Sequence, residues 1–239
     1  QKVFDIVYKN INEHNIYLLH GVTGSGKTEV YMQLIDLCLN MGKSALVLVP
    51  EICLTTQTVE RFYSRFGDDV AIFHSGLSIG EKYDEYQKII NKEVKIVVGT
   101  RSSIFVPLEN LGIIIIDEEH SDTYKQDTTP RYNAKDVAIF RAKRHNIPVI
   151  LASATPSLEA KARADKNVYK LLTLNKRANN MILPSCTLVD LKNENKEIIS
   201  SVLKNKIIDR LNKKEQIILL LNRRGFSTFV TCSGCGYTY

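Results

Sequence analysis

A parallel α/β sheet covered by helices on both faces is the fold predicted for this chain, on three observations. Six short β-branched runs recur through its first two thirds: IYLL at 16–19, ALVLV at 45–49, VAIF at 70–73, KIVVG at 95–99, GIIIID at 112–117 and PVILAS at 148–153. None alternates apolar with polar residues, as a strand with one wet face would. A longer, helix-like stretch follows each run, the pattern of crossovers between parallel strands. Finally, the glycine-rich segment GVTGSGKT at 21–28 follows the first run and opens a helix, the context in which a loop can cradle phosphate.

The 239 residues exceed what one such core needs and fall short of two with their connections. One unit plus a piece is expected: a first lobe over 1–165, a connector over 166–200, and the beginning of a second α/β unit over 201–239. Residues 166–197 are polar and basic with brief apolar pieces, whereas IISSVLKNKIIDRLNKK at 198–214 restores a helical period. Beyond it, IILLL at 217–221 and STFV at 227–230 read as fresh strands.

With 44% hydrophobic and 24% charged residues and no low-complexity run, the composition excludes disorder on a large scale. No apolar run approaches about 18 residues, and QKVFDIVYKN lacks the layout of a signal peptide, so a cytoplasmic chain without a membrane partner is expected. The net charge of +6 and pI near 9.0 tilt toward a polyanionic partner, although an ordinary solvated basic surface would carry the same balance. Cys38, Cys53 and Cys186 stand isolated and imply no disulfide framework.

In the phosphate loop, Gly21, Gly24 and Gly26 let the backbone curl so that N–H groups, including those of Thr23 and Ser25, and the helix N-terminus face an anion. Lys27 would reach the β- and γ-phosphates, and the Thr28 hydroxyl would hold Mg²⁺. The companion motif is an acid at the end of a buried strand, supplied by IIIIDEEH at 113–120. Asp117 would fix the metal through its water shell, and Glu118 would orient the attacking water. Alone, such an acidic turn reads equally as surface charge. Beside the phosphate loop it predicts a nucleotide hydrolase using ATP and Mg²⁺.

These motifs, with SAT at 153–155, PEICLTTQ at 50–57 and GTRSSIFVP at 99–107, resemble those of the superfamily-two helicases. The wording of GVTGSGKTEVY, VPEI, HSGL, DEEH, YKQ, ASATPSLE and LNRRGF is similar, in order and over essentially the whole chain, to the PriA family of bacterial replication-restart helicases. The resemblance implies a RecA-like P-loop NTPase lobe followed by the start of a second. It also implies an ATP-dependent 3′-to-5′ helicase or translocase working on single-stranded and forked DNA. Its partners in the full-length protein would be primosome and replicative-helicase loading proteins. Two rival readings are an assembly factor switched by its ATP state, with unwinding incidental, and a superfamily-two motor on another substrate.

By the same resemblance, Gln1 stands about where the family reads the adenine edge. Thr55, Thr100, Arg101 and Ser102 lie in segments like those that grip single-stranded DNA; without the resemblance they read as turn residues. His120, Ser153 and Thr155 match elements linking the nucleotide site to the DNA site. Residues 121–133, SDTYKQDTTPRYN, combine Tyr124 and Tyr132 with Lys125 and Arg131. Aromatic rings offer stacking platforms worth about 1–3 kcal/mol per base, and the cations suit phosphates. The segment resembles the family's aromatic-rich coupling loop, its composition alone being that of a polar surface loop.

Cys232 and Cys235 have the spacing of half a zinc site, with two corners of the tetrahedron left open. A redox pair has the same spacing but lacks its usual context here. The resemblance makes them the first of a series of cysteine pairs, so Zn²⁺ is expected in the full-length protein and absent or disordered here. The family's late second-lobe arginines and N-terminal DNA-binding region do not match any segment. Weak nucleotide binding, slow turnover and loss of fork recognition are therefore expected of these residues alone.

Overall fold

The computed structural model describes residues 2–177, 185–191 and 199–220, in two compact units that divide after residue 181. In the first unit, α1 (Lys2–Tyr8) leads to β1 (Ile16–Gly21), α2 (Lys27–Asn40), β2 (Ser44–Leu48), α3 (Thr56–Phe66), β3 (Val70–Phe73), α4 (Ile79–Ile90), β4 (Ile96–Gly99) and β5 (Leu111–Ile116). An antiparallel hairpin of β6 (Lys125–Gln126) and β7 (Tyr132–Asn133) precedes α5 (Ala134–His145), β8 (Val149–Ser153), α6 (Leu158–Asp165) and β9 (Lys170–Leu174). Seven strands form one parallel sheet in the order β3, β4, β2, β5, β8, β1, β9.

Burial on both faces explains why the strands do not alternate in polarity. Ala45, Val47 and Val49 pack with Met32, Ile35 and Phe62 beneath the α1–α3 layer. Leu46 and Leu48, pointing the other way, pack with Ile89, Ala138 and Ala160 beneath the α4–α6 layer. Each large aliphatic side chain so buried contributes roughly 1.5–3 kcal/mol. A polar residue on either face would forfeit that.

All six apolar runs form strands, as expected. The sheet also passes the boundary expected at residue 165: KLLTL at 170–174, assigned to the connector, is β9 and pairs with β1 from Tyr17↔Lys170 to Gly21↔Leu174. As an edge strand with Lys170, Leu171 and Thr173 exposed, it lacks the apolar run of its neighbours.

The sheet's connectivity creates the site. β1 lies between β8 and β9, whereas the crossover α2 carries the chain to β2, three places away. Such reversals of strand order open a crevice at the C-terminal strand ends. The glycine-rich loop emerges there from β1, DEEH from β5 and SAT from β8.

In the second unit, α7 (Ser201–Asn212) starts at Ser200, whose hydroxyl accepts the Leu203 N–H at 3.1 Å. The strand expected at IILLL is not formed at 217–220, where Ile218 and Leu220 are almost fully exposed. Residue 221, the strand expected at 227–230 and LNRRGF lie outside the described residues, as do Gln1, Cys232 and Cys235.

Candidate nucleotide site and nucleic-acid face

The loop from Gly21 to Thr28 is shaped by its glycines. Gly26 adopts φ 87° at the N-cap of α2, where a side chain would strain the backbone. A Cβ on Gly21 would stand 2.4 Å from the Ser25 hydroxyl and 3.0 Å from Lys27 Cγ, so the loop can close this tightly only around glycine. Lys27 folds back over the loop, donating to the carbonyl of Gly21 at 2.7 Å and more distantly to that of Val22 at 3.5 Å. The Ser25 hydroxyl is buried without a hydrogen-bond partner. A buried polar group left unpaired costs about 1–3 kcal/mol, which a ligand atom would relieve.

Facing this loop across a cleft of about 630 Å³ are Asp117 and Glu118, with Arg61 and Arg65 of α3 on its wall. Asp117 follows β5, and its N–H donates to the Leu48 carbonyl at 2.9 Å. Its carboxylate is gripped by two donors: the Tyr31 hydroxyl to Oδ2 at 3.0 Å and the Glu118 N–H to Oδ1 at 3.0 Å. Burial pushes the Asp117 carboxyl up from its ordinary range, partly offset by those two donors and by Lys27 and His120. The Glu118 carboxyl is raised by burial and by the adjacent Asp117 charge. Glu118 also holds φ 45°, an uncommon left-handed conformation for a non-glycine residue.

His120 Nδ1 lies 2.8 Å from Ser153 Oγ and 3.5 Å from a Glu118 oxygen. Ser153 Oγ also accepts the Thr155 N–H at 3.0 Å. The SAT segment and DEEH are therefore in direct contact.

Thr100, Arg101 and Ser102, expected to grip single-stranded DNA, line a second cleft of about 440 Å³ with Phe73, His74 and Lys82. Thr100 is buried, and Arg101 donates to the carbonyls of Lys125 at 2.7 Å and Thr123 at 3.3 Å. Thr55 does not line this cleft. It caps α3, accepting the Thr58 N–H at 3.4 Å.

Tyr124 requires a correction. Expected as a stacking platform, it is 1% exposed, packed beneath β2 and β5, with its hydroxyl on the carbonyls of Leu48 and Asp117. Its ring has no face for a base, because a 3₁₀ turn at 122–124 directs it inward. Lys125 remains exposed beside Asp127, Arg131 is exposed, and Tyr132 meets Phe105 edge to face at 4.9 Å.

The sequence reading missed Tyr31, Arg61 and Glu119. Tyr31 stands one turn beyond Lys27 on α2, and that i,i+4 spacing could have flagged it. Glu119, fully buried, accepts the N–H of Ser157 at 2.6 Å and its hydroxyl at 3.0 Å, and pairs with Lys135 at 3.3 Å. It thereby joins DEEH to the start of α6 and to α5. No cluster of three or more His, Cys, Asp or Glu able to hold a metal occurs among the described residues, nor is any described helix long and apolar enough to cross a membrane.

Over 230 residues the chain is 57% identical to the replication restart protein PriA of Bacillus subtilis, covering 95% of this chain and 29% of that protein. PriA of Synechocystis is 49% identical, covering 92% and 28%, and PriA of Haemophilus influenzae is 45% identical, covering 93% and 31%. The chain thus spans about a third of the length of these relatives. Among solved structures, the helicase domain of Pyrococcus furiosus Hef aligns with TM-score 0.51 at 19% identity over 74% of this chain and 38% of that one. RecG bound to a three-way DNA junction aligns with TM-score 0.52 at 24% identity over 73% and 23%. At such identities these two show the fold alone. The DEAD/DEAH box helicase family model matches residues 1–163, and the chain belongs to that family.

Proposed function

We propose that the chain is the ATP-binding core of an ATP-dependent DNA helicase or translocase serving replication restart. The observation that carries this is the convergence of Lys27, Asp117 and Glu118 on one cleft that also buries the unpartnered Ser25 hydroxyl. The cradle around Gly21 and the N-terminus of α2 suit the phosphates, with Gly24, Gly26 and the N–H groups of Thr23 and Ser25 around them. Thr28 and Asp117 would hold Mg²⁺, which characteristically keeps several waters and takes few protein ligands. When bound, Mg²⁺ would supply charge neutralisation for the phosphates. Lys27 would leave the loop carbonyls for phosphate. The Glu118 carboxylate would accept a hydrogen bond from water and orient it. Gln1 is proposed to read the adenine edge.

Arg101 and Ser102, with Thr55, Lys125, Arg131 and Tyr132, are proposed to hold single-stranded DNA, mostly by phosphates, which position a strand without reading it. His120, Ser153, Thr155 and Tyr124 would carry the signal between the two sites. Movement from 3′ to 5′, action on forks, primosome and replicative-helicase loading partners, and zinc at Cys232 and Cys235 rest on the likeness to replication restart proteins. So do assignment of 201–239 to a second lobe and slow turnover by these residues alone.

The test is ATP hydrolysis by the full-length protein, in which the slow turnover proposed for these residues alone does not limit the readout, with and without a single-stranded oligonucleotide. Stimulation of at least several-fold, lost in Lys27→Ala, is expected. Equal rates with and without the strand would contradict a single-strand motor.

A further inference from the structure

We infer that Tyr31 is a positioning residue for the metal side of the nucleotide site, acting through the Asp117 carboxylate; this rests on the proposed nucleotide function. Tyr31 belongs to α2, the helix that begins with Lys27 and Thr28, and is 2% exposed. Its ring packs in the core beside Met32, Leu34 and Ile35. Its hydroxyl donates to Asp117 Oδ2 at 3.0 Å and also meets the Thr28 side chain.

The geometry makes that bond informative. Asp117 follows β5 and Thr28 starts α2, so the two proposed metal-holding residues come from separate elements. The Tyr31–Asp117 bond is a side-chain tie between those elements at that point. Among the described residues no ion pair neutralises Asp117, since Lys27 is spent on loop carbonyls. The buried carboxylate is instead oriented by one donor per oxygen, Tyr31 on Oδ2 and the Glu118 N–H on Oδ1. Each oxygen keeps a lone pair free, and the plane of the group is fixed. Hydrogen bonds to a ligating group commonly set metal affinity by 10- to 100-fold. Phenylalanine at position 31 would preserve the packing and delete the tie.

The test is ADP binding by the chain, titrated with and without Mg²⁺, for wild type, Tyr31→Phe, Asp117→Asn and the double variant. Wild type should bind ADP more tightly with Mg²⁺. Tyr31→Phe should lose about 10-fold of that enhancement, with Mg²⁺-free affinity unchanged within about twofold. In Asp117→Asn, adding Tyr31→Phe should change nothing further. The inference is overturned if the enhancement survives in Tyr31→Phe, if affinity falls equally with and without Mg²⁺, or if the two substitutions act additively. Far-ultraviolet circular dichroism of each variant separates these outcomes from misfolding, and Tyr31→Leu, which also lacks the hydroxyl, must reproduce the lost enhancement if Tyr31→Phe misfolds. Wild type that binds no ADP at all would overturn the nucleotide reading, and this inference with it; wild type that binds ADP while the variants match it overturns this inference only.

Discussion

The hydroxyl of Tyr124 lies 2.5 Å from the main-chain carbonyl oxygen of Asp117, so the segment after the acidic pair is anchored to the backbone of that pair. Arg101 holds the carbonyls on either side, at Thr123 and Lys125. A contact made at Arg101 therefore has a route of two hydrogen-bonded steps to Asp117.

Removing that anchor should cost stability first. Tyr124→Phe takes this donor from the carbonyl of Asp117, the Leu48 carbonyl keeping the Asp117 N–H, and should destabilise the chain by about 1–3 kcal/mol. Lys125→Ala, at an exposed side chain, should stay within about 0.5 kcal/mol. Chemical denaturation of both variants checks the contrast.

The difference between these neighbours marks where the sequence was legible. Unbroken isoleucine and valine runs announced the central strands because residues buried on both faces must all be apolar. The glycine pattern announced the tight loop from Gly21 to Thr28 because few other residues allow that backbone. Tyr124 looked like a polar-loop aromatic because its burial depends on one turn at 122–124 and on carbonyls of distant strands. β9 was hidden because an edge strand needs few apolar residues, and Glu119 because its partners Ser157 and Lys135 meet it only in the folded chain. IILLL had the composition of a strand, yet its described residues pair with none.

Glu118 should make stability depend on pH. Burial and the Asp117 charge raise its folded-state pKa above the unfolded value, so folding favours its neutral form. Its cost is absent below the ordinary carboxylate range near about 4 and grows as pH rises through the raised value. Glu118→Gln should therefore melt higher than wild type at pH 7.5, with the difference shrinking as pH falls. Thermal melts across this range check it. A gap that widens toward acid would contradict the assignment.

Glu119 should be the costliest of the acidic residues to remove. Glu119→Ala leaves the Ser157 N–H and hydroxyl without their acceptor and the Lys135 ammonium with only the main-chain carbonyl of residue 119, and should cost about 1–3 kcal/mol. Adding Lys135→Met should recover part of it, because the unpaired charge is then gone too. Urea unfolding of the single and double variants gives the comparison.

The most direct test of the central claim, that the loop from Gly21 to Thr28 holds a nucleotide's phosphates opposite Asp117 and Glu118, is equilibrium binding of ATP and Mg²⁺ to the chain and to Lys27→Ala. Saturable binding that weakens at least tenfold in the variant, with the fold intact, is the predicted result. Equal affinity in both proteins would contradict it, since Lys27 would then have no phosphate to meet.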